Sequence, residues 1–534
     1  MRPSTSAATT DAGVPASTGD GQPAFLDPAR QRHLGDAFEA VARTCPERTA
    51  LVTSQRRFTY GELLQSSTTV RDALWSDAGF QAGDRVMLWL PNGPEYIAAF
   101  YGTLRAGGVV VPTPPDVEPG RFAAIRSRSE ARIVFTSDSV LRRRPGQASD
   151  KPELLPLDTV FPERGSPHGD APDGDAPAAI FFTSGSTGEP KGVTLGHTNL
   201  LANAGSIIEY LRISADDRAL GLLPFYHAFG NSVLQTHLLR GAVVVLGGSL
   251  LFPETILDAI RDAGVTSLSG VPDVFRTLLS RSSLGQASLP TLKTVAIAGG
   301  RLDPDQTQVL AFRAAPAKVF VMYGQTEATA RLSYLPPEFL EERYGSIGRG
   351  IPGVELRVID DAGQPVAPGE TGEICARGPN VMLGYWRDPE GTATTLRNGW
   401  LMTGDLATID ADGFIYPQGR RSGLVKIAGF RVHPSELEEF VRREAGVLEV
   451  VAVPFETAET GTRLALFVQP WGDDGAVTAE TLRGLCVAGL PRHLVPEHIE
   501  VLTQFPLNDA YKVDRRELRR RAETTSTLVE ESRT

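Results

Sequence analysis

Apolar and polar positions along this chain fall into blocks that switch between two periods. Arg85–Leu90 (RVMLWL) is a nearly continuous apolar run, the pattern of a strand buried on both faces. Pro94–Ala106 follows with helical spacing, and Val109–Pro112 is the next apolar run. The links are short and marked by Gly and Pro, so residues 30–135 predict a parallel α/β layer. Further apolar strands are expected at Ala178–Phe182, Ala242–Leu246, Thr294–Ala298 and Val319–Met322, with helical stretches between them. From Val354 to Tyr416 the pattern shortens to strands and turns (ELRVID, GEICARG, DGFIYPQG), a β-rich segment. After Gly419 a second α/β unit starts with VKIAGFRVHPSELEEFVRREAG. It continues through strands at Glu449–Val453 and Ala465–Gln469 to a terminal helix. No internal repeat is visible. Residues 162–177, rich in Pro, Gly and Asp without periodicity, read as a flexible surface segment.

Composition narrows the function classes. With 534 residues the chain exceeds one compact core and has room for roughly three or four domain-sized units. Its 41% hydrophobic and 22% charged residues are those of an ordinary globular protein. No apolar run approaches the ~18 residues of a membrane span. The first 25 residues lack the apolar centre of a secretory signal and read as a disordered tail. A net charge of −11 argues against a sequence-independent nucleic-acid binder, which needs a basic face. Cys45, Cys375 and Cys486 are odd in number and far apart, neither a disulfide framework nor a zinc spacing, so a cytoplasmic enzyme is expected. Lysine is scarce: Lys151, Lys191, Lys293, Lys318, Lys426 and Lys512 stand against 47 arginines. A lysine kept against that background suggests a need for a compact ammonium.

One such lysine closes FFTSGSTGEPKG (181–192), where the apolar strand feeds a loop of alternating hydroxyl and glycine residues. Glycines let backbone N–H groups approach an anion, and Thr183, Ser184, Ser186, Thr187 and Lys191 add donors. With Gly185 and Gly188 they suit a polyphosphate. The loop is not a P-loop, because Lys191 is followed by Gly192 and has no glycine directly before it.

This loop resembles the signature of the adenylate-forming superfamily, which includes acyl-CoA synthetases, peptide-synthetase adenylation domains and luciferases. The resemblance runs in order over about residues 30–520, through LPFYHAFG (223–230), AGG (298–300), YGQTEA (323–328) and GEICARGPNVMLGY (372–385). It continues through GWLMTGD (399–405), GRRSGLVKIAGFRVHPSELE (419–438) and PLNDAYKVDRREL (506–518). It implies a large N-terminal α/β region of parallel sheets with a small β-rich subdomain, over about 26–420. A small mobile C-terminal α/β domain would cover 421–520, and 521–534 would be a second disordered tail.

The resemblance also implies roles. Tyr323, at a strand end, would offer its face to adenine, with Gly299, Gly300 and Gly324 nearby in the nucleotide site. Thr326 would bind the α-phosphate, and Glu327 would hold Mg²⁺ beside the phosphates of ATP. Asp405 would accept the ribose hydroxyls, and Arg420 would add a ribose or phosphate contact. Lys512 would bridge the carboxylate and α-phosphate during adenylation. Tyr511 departs from the family, which often has Gly there. Ser422 stands at a hinge where many relatives carry Asp or Lys, so a charge-based latch is expected to be missing. After rotation of the small domain, Lys426, Gly429 and Arg431 would line the approach of the thiol.

His227 resembles the acyl-site gate of the family. Ala228, Phe229 and Gly230 replace the Asp with which amino-acid-specific domains pair a substrate ammonium, so an acid without a free α-amino group is expected. Ala296, Ala298 and Gly299 suggest a deep apolar channel for a fatty or other hydrophobic acid, with an aryl acid also possible. The acyl group would pass to coenzyme A or to the phosphopantetheine of an acyl carrier protein acting in trans, no carrier motif following residue 520. A stand-alone enzyme loading a carrier protein, a non-catalytic nucleotide sensor and a luciferase-type oxygenase are the alternatives.

Overall fold

The computed structural model describes residues 32–77, 79–143, 153–156, 175–184, 190–423, 425–427, 430–457, 461–472, 477–509 and 511–531. The whole of the first tail, most of the 162–177 segment and the loop 185–189 therefore lie outside the described residues.

Two sheets form the large N-terminal region. In the first, strands Arg85–Trp89, Val109–Thr113, Ile133–Thr136 and Glu153–Pro156 run parallel. Pro177–Ser184 joins parallel to Val109–Thr113 and pairs antiparallel with Pro190–Gly196. In the second, six parallel strands lie in the order Lys318–Tyr323, Thr294–Ile297, Ser267–Gly270, Arg218–Leu220, Val243–Val245 and Thr49–Val52, with antiparallel strands at both edges. One core joins Val86, Leu88 and Val110 of the first sheet to Leu51 and Val244 of the second. Helices that include Pro94–Arg105, His197–Leu211 and Ala228–Leu239 contribute the rest. Burial from both sides explains why these strands read as unbroken apolar runs. Pro94 opens its helix at the position where a missing N–H costs nothing, and Arg105 in the last turn pairs with Glu39 at 2.7 Å.

Parallel register decides where chemistry is placed. Gly270, Ile297 and Val321 are cross-strand partners, so Val271, Ala298–Gly299 and Tyr323–Gly324 all emerge at the same edge of the second sheet. That edge, at the carboxyl ends of the strands, is where open α/β sheets bind ligands. Strands Glu355–Ile359, Thr371–Arg377, Leu396–Arg397, Trp400–Ile409 and Ile415–Arg420 make a separate antiparallel sheet, the expected β-rich segment.

Beyond residue 421 the chain builds its own cores. Strands Val447–Thr457, Gly461–Pro470 and His498–Val501 form one sheet, and Val425–Ile427 pairs with Phe430–Val432 as a hairpin. The final helix, Arg515–Glu531, crosses the expected boundary at 520 and overturns the disordered tail expected from 521 at least as far as Glu531. Leu518 and Ala522, four apart, are fully buried on one face, and the surrounding Arg and Glu pair along the other at i,i+3 and i,i+4. The polar composition recorded that solvent face and hid the apolar one. Among the described residues no helix is long and apolar enough to cross a membrane.

Candidate active site

A cleft of about 780 Å³ lies at the shared strand edge, lined by Thr183, Lys191, Thr326, Glu327, Arg420 and Lys512 among others. Thr183 and Lys191 face each other across the antiparallel pair that flanks residues 185–189. The signature loop is therefore flanked on both sides by strands of one antiparallel pair. Of its residues Gly185, Ser186, Thr187, Gly188 and the side chain of Ser184 lie outside the described residues.

Asp405 and Arg420 are cross-strand partners in the β-rich sheet, and Arg420 Nε lies 2.9 Å from Asp405 Oδ1. Tyr323 donates its hydroxyl to Asp405 Oδ2 at 2.6 Å. Burial and the Asp405 charge push the Tyr323 hydroxyl well above its ordinary range, so it stays a donor. A carboxylate has about four lone-pair sites, so Asp405 retains capacity for two further hydroxyls.

Thr326 and Glu327 sit in the short turn Thr326–Ala328 that follows the strand ending at Tyr323. Glu327 Oε1 accepts from Tyr385 Oη at 2.9 Å, and Lys191 Nζ stands 4.8 Å from the centre of the Tyr385 ring. Tyr385 thus joins the hairpin lysine to the turn carboxylate. Sequence reasoning missed this residue although it ends the GPNVMLGY motif. The second oxygen of Glu327 could take a cation. No group of three or more His, Cys, Asp or Glu able to hold a metal exists among the described residues. One carboxylate plus substrate phosphates is the set that suits Mg²⁺, which resists all-protein cages. Gly324 is required by space, because a Cβ there would lie 2.0 Å from the Ala330 carbonyl oxygen. Gly324→Ala is expected to cost about 1–3 kcal/mol of stability and to displace the Thr326–Glu327 turn. Denaturant unfolding together with ATP titration checks both effects.

A second cavity, of about 140 Å³, opens off the cleft and is lined by Leu223, Phe229, Val271, Ala298, Gly299 and Arg331 among others. His227, Ala228, Gly324, Gln325, Thr326 and Lys512 line both spaces. Gly299, at φ +87°, brings its backbone so close that a Cβ would stand 3.3 Å from Lys512 Cε. Gly300 packs on Pro272 and lines neither space. Ala296 also lines neither. It is buried with Tyr210 and Phe320 and so does not widen this cavity of about 140 Å³.

Lys512 arrives from the C-terminal unit on a braced loop. Lys512 N donates to Asn508 Oδ1 at 3.1 Å, Asn508 N donates to Lys512 O at 2.8 Å, and Leu507 bridges Val513. Tyr511, where relatives often have Gly, holds φ +57° and packs on the core of the second sheet. The left-handed backbone explains the family's glycine, and here the ring contact compensates. Desolvation in the cleft and nearby Arg420 lower the Lys512 pKa, opposed by Asp273 and Asp405. His227 Nε2 lies 4.0 Å from Asp509 Oδ1, and burial lowers its pKa against the pull of Asp509. Asp509 was a further residue unforeseen from sequence.

The docked loop is held by a buried ionic joint between the large region and the C-terminal unit. Arg276 Nη1 lies 2.5 Å from Glu449 Oε2 and 3.0 Å from Asp273 Oδ1, and Arg442 Nε lies 2.7 Å from Asp303 Oδ2. Gln306 also donates to the Leu448 carbonyl. Burial raises all three carboxylates, with Glu449 pushed up to about 7. The sign follows: the docked state holds a proton that an undocked, solvated Glu449 releases near its ordinary value of 4.5. Its contribution to docking is complete below about 4.5 and is lost as pH rises through about 7. Fluorophore distances between the two parts are expected to report weaker docking across that window, and Glu449→Gln to flatten the response.

Ser422 lies in the turn Arg421–Gly423. One residue earlier, Arg421 pairs with Asp361 and, at 3.4 Å, with Glu373 of the β-rich sheet. Lys426 and Arg431 are backbone partners in the hairpin 425–432, which packs on Gly461–Pro470. Their side chains and Gly429 lie outside the described residues.

The AMP-binding enzyme family model matches residues 38–386, the stretch that supplies the hairpin, most of the wall of the smaller cavity, the Thr326–Glu327 turn and Tyr385. The chain belongs to the AMP-binding enzyme family. A long-chain-fatty-acid–CoA ligase of Salmonella typhimurium is 30% identical to this AMP-binding enzyme, covering 93% of this chain and 96% of the relative. A feruloyl-CoA synthase of Amycolatopsis is also 30% identical, over 92% of this chain and 99% of the relative. Equal identity to a fatty-acid and an aryl-acid enzyme means that the substrate must be read from the cavity. The o-succinylbenzoate CoA synthetase of Bacillus subtilis, solved with its acyl-adenylate OSB-AMP, superposes on this AMP-binding enzyme with a TM-score of 0.77. It is 27% identical over 90% of this chain and 97% of that one, and has also been solved with ATP and magnesium ion.

Proposed function

We propose that this AMP-binding enzyme adenylates a carboxylic acid with a hydrophobic body and transfers it to coenzyme A, with the roles set out below. The observation that carries the reading is the placement of Lys512 and Thr326 where the nucleotide cleft meets the small acyl cavity.

The enzyme is an ATP-dependent acid–thiol ligase. A carboxylate oxygen attacks the α-phosphorus, pyrophosphate leaves, and the thiol sulfur then attacks the acyl carbonyl and releases AMP. Asp405 holds the ribose hydroxyls, Tyr323 and Arg420 fix Asp405, and Lys191 with Thr326 binds phosphate oxygens. Glu327 would hold Mg²⁺, which would neutralise phosphate charge. Lys512 faces the charge that gathers between carboxylate and α-phosphate, and His227 closes the acyl side. Positioning the acid in line with ATP supplies much of the rate. For the second step the unit of 421–520 turns about Arg421–Gly423, breaking the Arg276–Glu449 joint, and presents Lys426, Gly429 and Arg431 to the thiol. The three unpaired cysteines accord with a reducing, cytoplasmic setting.

The test is exchange of labelled pyrophosphate into ATP, with magnesium and an acid panel but no thiol. Acid-dependent exchange supports the reading. Exchange that ignores the acid, or exchange with α-amino acids alone, would sink it.

A further inference from the structure

Arg331 is a charged group lining the acyl cavity that the proposed mechanism leaves unused. It is 2% exposed, three residues beyond the Thr326–Ala328 turn. Its backbone is fixed, since its carbonyl accepts from Asn203 Nδ2 at 3.0 Å and Asn380 Nδ2 at 2.8 Å. The guanidinium lies 3.8 Å from the centre of the Phe229 ring. Its contacts are neutral acceptors: Met322 Sδ at 3.4 Å, the Ala330 carbonyl at 3.3 Å and the Tyr210 hydroxyl beside it. Among the described residues no carboxylate is paired with it. Arginine keeps its proton even when burial disfavours the charge, and a buried cation without an anion is strongly penalised.

Its position is as telling as its isolation. Lys512 lines the acyl cavity and the nucleotide cleft, whereas Arg331 lines the acyl cavity and a third space of about 510 Å³ on the far side. The two cations therefore mark opposite ends of the acyl cavity. That third space is walled by polar and apolar side chains together, among them Tyr210, His237, Ser267, Ile207, Leu211 and Phe320. The acyl cavity of about 140 Å³ is close to the ~150 Å³ that holds benzene in an engineered core, so it takes about six carbons.

We infer that Arg331 is a specificity-determining residue that receives a second anionic group, so that the preferred substrate is a short dicarboxylic acid adenylated at the end facing Lys512. A guanidinium–carboxylate pair is the strongest contact open to either group. The inference rests on the ligase reading above and narrows its substrate to acids with an apolar middle and two charged ends.

The test compares matched acids, hexanoate with adipate and octanoate with suberate, by pyrophosphate exchange on the wild type, Arg331→Met and Arg331→Lys. The wild type is expected to favour each diacid at least tenfold in kcat/KM. Arg331→Met is expected to reverse that preference and to melt no lower than wild type, since it removes an unpaired buried charge. Arg331→Lys retains part of the diacid preference. Equal or better use of monoacids by the wild type overturns the assignment while leaving the ligase intact. So does equal loss of both acids in Arg331→Met, or a gain confined to long fatty acids that marks Arg331 as a gate. Calorimetric titration of adipate without ATP separates the two readings. Arg331-dependent binding without any exchange would keep this assignment and discard the ligase.

Discussion

Lys512→Ala is expected to lower acid-dependent pyrophosphate exchange by roughly 10²–10³-fold, the effect of removing one fixed group that stabilises developing charge. The loop carrying it is held by Asn508 and by the Leu507–Val513 bridge, neither of which uses the ammonium. Thermal stability should therefore stay within about 0.5 kcal/mol of wild type, as for other substitutions away from packing. ATP should still bind, since Asp405, Tyr323 and Arg420 form their contacts without Lys512. If the small unit rotates between steps, thioester formation from a supplied acyl-adenylate should be nearly untouched. Steady-state exchange, a melt and a single-turnover thiol assay read the three quantities. Equal loss in both half-reactions would place Lys512 in a general structural role.

Arg276→Ala should be almost as damaging without touching any substrate. It leaves Glu449 and Asp273 buried at the joint, with Arg442 Nη2 3.7 Å from Glu449 as the remaining cation. Stranding a buried carboxylate costs about 3–5 kcal/mol. The joint lies between two separately cored parts, so undocking relieves that cost and unfolding is not needed. The docked population should fall by about 10²–10³-fold, and exchange with it, because Lys512 reaches the acyl cavity only when docked. The melt of the large region should move little. Unchanged exchange would mean that the joint does not hold the adenylating pose.

Much of this architecture is written in the chain. Val86–Leu90 and Val319–Met322 announce buried strands because two layers cover them, and the glycine–hydroxyl run 183–188 announces a phosphate loop by residue type alone. Lys191, Glu327, Asp405 and Lys512 were named from motifs, and the fold brings all but Asp405 to the lining of one cleft, with Asp405 fixed behind Arg420. Pairings across distant segments were not legible. Nothing local tells that Tyr385 will donate to Glu327, that Asp509 will face His227 or that Glu449 will meet Arg276. Arg331 in YGQTEATAR reads as one more arginine in an arginine-rich chain, and only its burial without an anion distinguishes it. The terminal helix was hidden for the opposite reason, since two buried positions among many charges leave little apolar signal.

The most direct test of the central claim is to quench the enzyme with magnesium, ATP and a used acid, and to identify the nucleotide and acyl products by mass spectrometry before and after coenzyme A is added. The account predicts enzyme-bound acyl-AMP with pyrophosphate before addition, and acyl-CoA with AMP after it. ADP with phosphate, or acyl-CoA formed without a preceding acyl-AMP, would contradict it.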